Sequence, residues 1–395
     1  MSNTWKIYVL ALVSFLVGTS EYVIAGILDR IADTMNISLV AAGQLISIFS
    51  LVYALGTPLL VALTSRIDRR KLLIYSLGLF VLANLFAYAL PGFGLFVVAR
   101  VFMALGAGVV VVTALTVAAK IASEGKQASA IATVVTGFTG SLIIGVPLGR
   151  LVAASWDWKL IFVGISVLGI LAMIVIALTI PSSEGEALIP LKKQLALLKQ
   201  PRILFALFVT FFWLGGYSIA YTYISPYLLS VANMNETLLS SALLAFGIAS
   251  LIGSKIGGYS TDRWGVKRTL LLGMSIHIVS LISLNFSSQS TVALLIILVL
   301  WSFAAWSSGP TQQYKLVTMA PESSGIMLSL NSSVMQLAMA AGAGIGGIAV
   351  SQISIQSITW IGAVGVVVAI VIMMISYHAA SSNTRERVRL KLPKH

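Results

Sequence analysis

Apolar residues in this chain gather into unbroken runs of about twenty, and polar positions are confined mainly to short gaps of Lys, Arg, Asp, Pro and Gly. A helix rises about 1.5 Å per residue, so each run matches the roughly 30 Å hydrocarbon core of a bilayer. Membrane strands would instead show short alternations of apolar and polar positions. Twelve spans are predicted, at about residues 6–28, 40–63, 72–91, 95–119, 127–152, 158–180, 203–226, 237–259, 269–286, 291–314, 325–350 and 357–378. An even number puts both termini on one side. The first run is longer than a signal-peptide core and carries no small-residue cleavage site, so it is expected to stay as the first helix.

Composition supports this reading. The chain is 58% hydrophobic and 9% charged, against about 25% charged in a soluble domain, which predicts an all-α integral membrane protein. The net charge of +13 would suit a nucleic-acid partner if it formed one stripe, but it does not. One alternate set of gaps holds Arg66, Arg69, Arg70, Lys71, Lys120, Lys126, Lys192, Lys193, Lys199, Arg202, Arg263, Lys267, Arg268 and Lys315. The other set holds only Arg30 and Lys159. This bias places the first set, both termini and the basic stretch Arg385–Lys394 in the cytoplasm, and no nucleic-acid partner is expected. With no cysteine, disulfides, thiol nucleophiles and cysteine-ligated metals are excluded.

The longest interior gap, 181–202, starts P-S-S-E-G-E and continues as the basic amphipathic segment L-I-P-L-K-K-Q-L-A-L-L-K-Q, expected to lie at the membrane interface. It divides the chain into an N-terminal six-helix bundle (1–180), a linker (181–202), a C-terminal six-helix bundle (203–380) and a basic tail (381–395). The halves echo each other. T-S-R-I-D-R-R-K-L-L (Thr64 to Leu73) and S-T-D-R-W-G-V-K-R-T-L-L (Ser260 to Leu271) occupy the same gap of each six-span unit. Such repeats suit a transporter with two pseudo-symmetric bundles related by an axis along the membrane normal.

These loops resemble the Asp-Arg-x-Gly-Arg-Arg/Lys signature of the major facilitator superfamily, and the likeness extends over essentially the whole chain. The second copy is nearly complete in Asp262, Arg263, Gly265, Lys267 and Arg268. The first departs from the pattern, with Ser65 at the Asp position and Asp68 at the Gly position beside Arg66, Arg69 and Arg70. A weaker or rearranged charge relay is therefore expected there. Arg100, with Gly106 and Gly108, is similar to the family's fourth-helix motif. G-V-P-L-G (Gly145, Pro147, Gly149) is similar to its antiporter motif, with Arg150 in place of the last glycine. T-S-E-Y-V-I-A-G-I-L and G-V-P-L-G-R look most like the twelve-helix drug/proton antiporter group, which includes exporters of sugars and purines. W-S-S-G-P-T-Q-Q-Y looks closest to the purine exporters. The resemblance implies a bacterial inner membrane, alternating access, loops that act as conformational latches, and monomeric function.

Glu21 is the one acid well inside a predicted span. It shares a helical face with Ser14, Gly18 and Ala25. One reading makes it a buried carboxyl that takes a proton from outside and releases it inward; the other leaves it hydrated near the outer mouth. Arg100 is either a partner in proton coupling or a snorkelling interfacial cation. Arg150 and Lys255 are expected to be interfacial. In the seventh span, Trp213, Tyr217 and Tyr221 recur every four residues. They form either a packing stripe or, with Trp301, Trp306, Gln312 and Gln313, the lining of a substrate cavity. Asn84, His277, Asn331 and Gln336 are expected to make helix–helix hydrogen bonds.

No G-x-x-x-x-G-K-[ST], H-E-x-x-H or G-x-S-x-G motif occurs, so neither ATP-driven transport nor an enzyme is expected. No cofactor is expected beyond a coupling proton, and no metal site. The sequence thus predicts proton-coupled efflux of a small organic compound. Symport, facilitated diffusion and a non-transporting receptor remain as rivals, and the substrate class stays open among drugs, purines and sugars.

Overall fold

The computed structural model describes residues 3–64, 66–123, 127–182, 197–287, 290–320 and 324–391. Ser65, Lys126, Lys192, Lys193, most of the interbundle linker and the last four residues of the basic tail lie outside them. Among the described residues, twelve helices are long and apolar enough to cross a membrane. They are α1 (Asn3–Gly26), α2 (Leu39–Leu63), α3 (Arg69–Ala89), α4 (Phe93–Ile121), α5 (127–155, in three consecutive segments), α6 (Leu160–Thr179), α7 (Pro201–Thr222), α8 (Glu236–Trp264), α9 (Val266–Leu284), α10 (Thr291–Met319), α11 (Ser324–Gln352) and α12 (Ser357–Lys391). The protein is an all-α membrane bundle, and α12 continues well beyond its apolar stretch.

The packing repeats with a period of six helices. In the first half α1 packs on α5, α2 and α3 on α4, and α3 on α6; in the second α7 packs on α11, α8 and α9 on α10, and α9 on α12. The two six-helix bundles meet along α2–α11 and α5–α8. Glycines permit the close approaches: a Cβ on Gly247 of α8 would strike the Leu142 carbonyl of α5, and one on Gly137 of α5 would strike the Ala11 carbonyl of α1.

Three local departures from straight helix shape the centre. Helix α1 stops at Gly26 and a short helix, Leu28–Met35, follows. Helix α7 ends at Thr222 and restarts as Ile224–Ser230, because Pro226 has no N–H to donate to the Thr222 carbonyl. The sequence suggests a bend at Pro226; the structure has a break. Helix α5 widens into a π-type segment, Ser141–Gly145, just before Pro147. Proline cannot donate to the Ile143 carbonyl four residues back, and π-type widening is a common answer to such a gap.

The two signature loops end in different helix caps. Gly265 starts α9 at φ +80°, a conformation open to glycine and costly for other residues. At the matching place before α3, Asp68 has φ −49° and its carboxylate accepts the Lys71 amide at 3.0 Å. The missing glycine in the first copy is therefore no defect, because a side-chain N-cap replaces it.

Candidate functional site

The site grows from the last third of α1, at the end of the bundle where α1 leads into α2. Glu21 is only 4% exposed. Its Oε1 accepts a hydrogen bond from Gln336 Nε2 of α11 at 3.0 Å, so the acid is tied across the boundary between the bundles. Its Oε2 and the Gln336 Oε1 have no partner. Tyr22, Tyr53 and Tyr221 all lie within electrostatic reach of the carboxylate. Tyrosines of α1, α2 and α7 thus lie in the neighbourhood of one acid.

Arg100 stands behind this acid, inside the first bundle and fully buried. Its Nη1 donates to the Ser20 carbonyl at 2.7 Å, and its guanidinium carbon sits 4.1 Å from the Phe49 ring centroid. It attracts the Glu21 carboxylate without forming an ion pair with it. Snorkelling is ruled out by this burial. Ser20 Oγ in turn donates to Asn84 Oδ1 at 3.4 Å, joining α1 to α3.

The second bundle contributes an aromatic cluster around Tyr217. Tyr221 stacks on it at 5.1 Å, Trp301 lies at 5.6 Å, and the edges of Trp306 and His277 approach at 6.2 and 6.3 Å. Phe246, which the sequence reading passed over, packs between Tyr221 and Trp301. Trp306 is half-buried and its Nε1 donates to Tyr217 Oη at 3.4 Å. Trp301 and Trp213 are buried, and Gln312 bonds the Ala206 carbonyl at 2.6 Å and Thr210 Oγ1 at 3.1 Å. Thr210 donates to Asn331 Oδ1 at 2.8 Å. Trp301 and Gln312 therefore serve the interior of this bundle, whereas Tyr217, Tyr221 and Trp306 lie nearer its inner face. On the facing bundle Tyr22 stands edge-on to Phe138 at 5.7 Å. His277 differs from expectation: both ring nitrogens lack a hydrogen-bond partner, and the ring packs as an aromatic against Tyr217 and Trp301.

Arg150 is the clearest correction. The expected interfacial cation is fully buried. Its Nη1 lies 2.5 Å from Asp29 Oδ1, and its Nε donates to Glu236 Oε2 at 2.8 Å. Glu236 also takes Arg30 Nη2 at 2.6 Å on its other oxygen. Residues of the first bundle thus clamp the start of α8 in the second. Burying a cation requires paired acids, a signal present in the sequence once Arg150 is placed inside rather than at a rim. Lys255, by contrast, is exposed.

Gly145 packs on Thr19 and Gly149 on Val23 of α1, placing the Gly-Pro tract at the α1 contact. In the signature loops, Arg70 and Arg263 bond within their own bundles. Arg70 donates to the Ala177 carbonyl of α6, Arg263 Nη1 donates to Tyr259 Oη at 2.9 Å, and Arg69 is buried. Arg66, Asp262 and Arg268 are exposed. Hydrogen bonds and ion pairs that join the bundles include Ser47 to the Ala340 carbonyl (3.0 Å), Glu21–Gln336, and the Glu236 pairs.

The family model described as Major Facilitator Superfamily matches residues 10–343 and 232–393. This chain belongs to the major facilitator superfamily. The superfamily's members among its relatives include the uncharacterized MFS-type transporter YbcL of Bacillus subtilis (strain 168), 63% identical over 96% of this chain and 97% of that one. The inner membrane transport protein YdhP of Escherichia coli (strain K12) is 30% identical over 89% of this chain and 90% of its own. The solved structure of a D-xylose-proton symporter shares the fold with a TM-score of 0.77 at 17% identity, covering 94% of this chain and 97% of that one. A bacterial homolog of the human lysosomal transporter Spinster, in an inward-facing and unoccupied conformation, gives 0.70 at 16% identity over 95% of both chains. The protein is accordingly a membrane transporter of this superfamily, with the twelve-helix architecture described above.

Proposed function

We propose that the protein is a proton-coupled exporter that moves a small organic compound by alternating access, with Glu21 as the proton carrier. The observation that carries this reading is the incomplete pairing of Glu21 with Gln336. The carboxylate accepts one bond from the amide, which leaves Glu21 Oε2 and Gln336 Oε1 unpartnered. A proton on Oε2 converts these two acceptors into a donor and an acceptor. Protonation then adds a second bond between the bundles and removes a buried charge. Deprotonation leaves a carboxylate in a site that water does not reach in this arrangement, a state better served by opening.

The positive-inside bias places the Glu21 end of the bundle outside the cell, so the links at Ser47, Glu21 and Glu236 close the protein toward the exterior. Protonation from outside therefore favours the inward-facing state, and loss of the proton inward favours outward opening with substrate. In that second state the signature loops latch the cytoplasmic side. Tyr217, Tyr221 and Trp306, with Tyr22, Tyr53 and Phe138 opposite, supply stacking surfaces and hydroxyls for a flat, partly apolar substrate. A single chain contains both bundles and suffices.

The test uses everted membrane vesicles carrying a preset acid-inside gradient. Adding a substrate chosen from panels of drugs, purines and sugars should dissipate the gradient with the wild type and not with Glu21→Gln. If no compound dissipates it, and cellular accumulation of the panel is the same in both, proton antiport is wrong.

A further inference from the structure

A second polar site lies far from Glu21, where α9, α10 and α12 converge at the signature-loop end of the second bundle. Lys315, one turn before the end of α10, is only 9% exposed, and its Nζ donates no hydrogen bond. That ammonium lies 5.1 Å from the centroid of the half-buried Tyr377 ring of α12. The exposed Lys267 of α9 brings a second ammonium to 5.5 Å from the same ring. Two cations therefore share one aromatic side chain. The attraction of a ring face is smaller than the cost of holding an unpaired ammonium away from water, and the second lysine adds repulsion.

The start of α9, which carries Lys267, adds unpaired donors. Gly265 has no side chain to cap this helix. The first amide paired to the residue four back is Thr269, to the Gly265 carbonyl at 3.3 Å, so the amides of Val266, Lys267 and Arg268 have no helical acceptor. Exposed Tyr259, Trp264 and Tyr314 ring this end of the bundle, and such aromatic belts mark the level of lipid headgroups.

We propose that Lys315, Lys267 and the start of α9 form a binding site for a phosphate group. A tetrahedral phosphate offers several acceptor oxygens at once, which matches two ammoniums and a helix N-terminus better than a carboxylate does. The phosphate comes either from the headgroup of an anionic phospholipid or from a free phosphate at the cytoplasmic surface. In both cases it neutralises Lys315 and ties α9, α10 and α12 together beside the second signature loop.

The experiment uses the full chain, wild type and Lys315→Met, in two settings. In neutral phosphatidylcholine nanodiscs, the thermal midpoint is followed as phosphatidylglycerol replaces part of the lipid; in detergent it is followed against inorganic phosphate at constant ionic strength. A wild-type midpoint that rises with phosphatidylglycerol alone assigns the site to lipid, and a rise with phosphate as well assigns it to the free anion. In either case Lys315→Met should need about tenfold more ligand for the same shift, equivalent to about 1.4 kcal/mol. Lys267→Gln keeps the buried Lys315 packing and should weaken the response in the same direction, which covers a Lys315→Met protein that does not fold. Equal responses in wild type and Lys267→Gln, or no wild-type response to either ligand, overturn the proposal.

Discussion

Glu21 and Gln336 show how a neutral amide can read the protonation state of an acid. Gln336 offers a donor to the ionised form and an acceptor to the protonated form, so in the proposed mechanism the link between α1 and α11 strengthens with protonation rather than breaking. Gln336→Leu removes both bonds while keeping an apolar side chain of similar length. With a net worth of about 1 kcal/mol per bond, loss of both should lower proton-driven transport by roughly thirtyfold while leaving expression intact, as measured by initial rates in vesicles. At this scale the sequence was partly legible. A lone acid in an apolar run reveals itself, because few other residues cost as much there. Its partner did not, since Gln336 stands 315 positions away and glutamine in a membrane helix is most often simply a helix–helix bond. Arg150 was misread for a related reason. Position along a helix gives depth, but the direction of the side chain and the distant Glu236 decide whether it meets water or acid.

Elements were legible wherever the apolar runs end abruptly: the observed helices begin and end within about five residues of the predicted boundaries, except that α12 runs on to Lys391. Their interruptions were less so. Pro226 and Pro147 both mark a missing hydrogen bond, yet the chain answers one with a break before Ile224 and the other with a π-type widening at Ser141–Gly145. The choice depends on what packs alongside, which a single segment does not contain. In α5 the widening lies against Gly247 of α8, where no side chain fits between backbones. Gly247→Val should force α5 and α8 apart at a cost of about 1–3 kcal/mol. The expected result is a lower thermal midpoint and a loss of transport, whereas the same change at Gly258, with open space around it, should do little.

For the whole molecule, duplication was readable from two loops in equivalent gaps, and the six-helix period of the packing agrees with it. Which side of the transporter stands closed was not readable, because the same sequence must support both arrangements with nearly equal energy. The chain's lack of cysteine makes a direct test clean. The pair Ser47→Cys with Ala340→Cys, placed where the two bundles are hydrogen-bonded, should form a disulfide that stops transport, and reduction should restore it. Failure to cross-link would mean that this contact is rarely made in the membrane.

Closure at the Glu236 clamp also has an electrical consequence. Asp29, Arg30, Arg150 and Glu236 together carry no net charge, and in the proposed rocking of the two bundles opening would separate them in the plane of the membrane rather than along its normal. A charge gains about 2.3 kcal/mol per 100 mV only when it moves through the field, so this gate should open at a rate insensitive to membrane potential. Dissolved ions act differently. Arg30 and Glu236 are each about one-third exposed, so counterions reach them and screen their attraction once the Debye length falls to a few ångströms. Substrate-gated proton flux in vesicles should therefore respond more to external potassium chloride than to an imposed diffusion potential. In Glu236→Gln that response to salt should largely disappear.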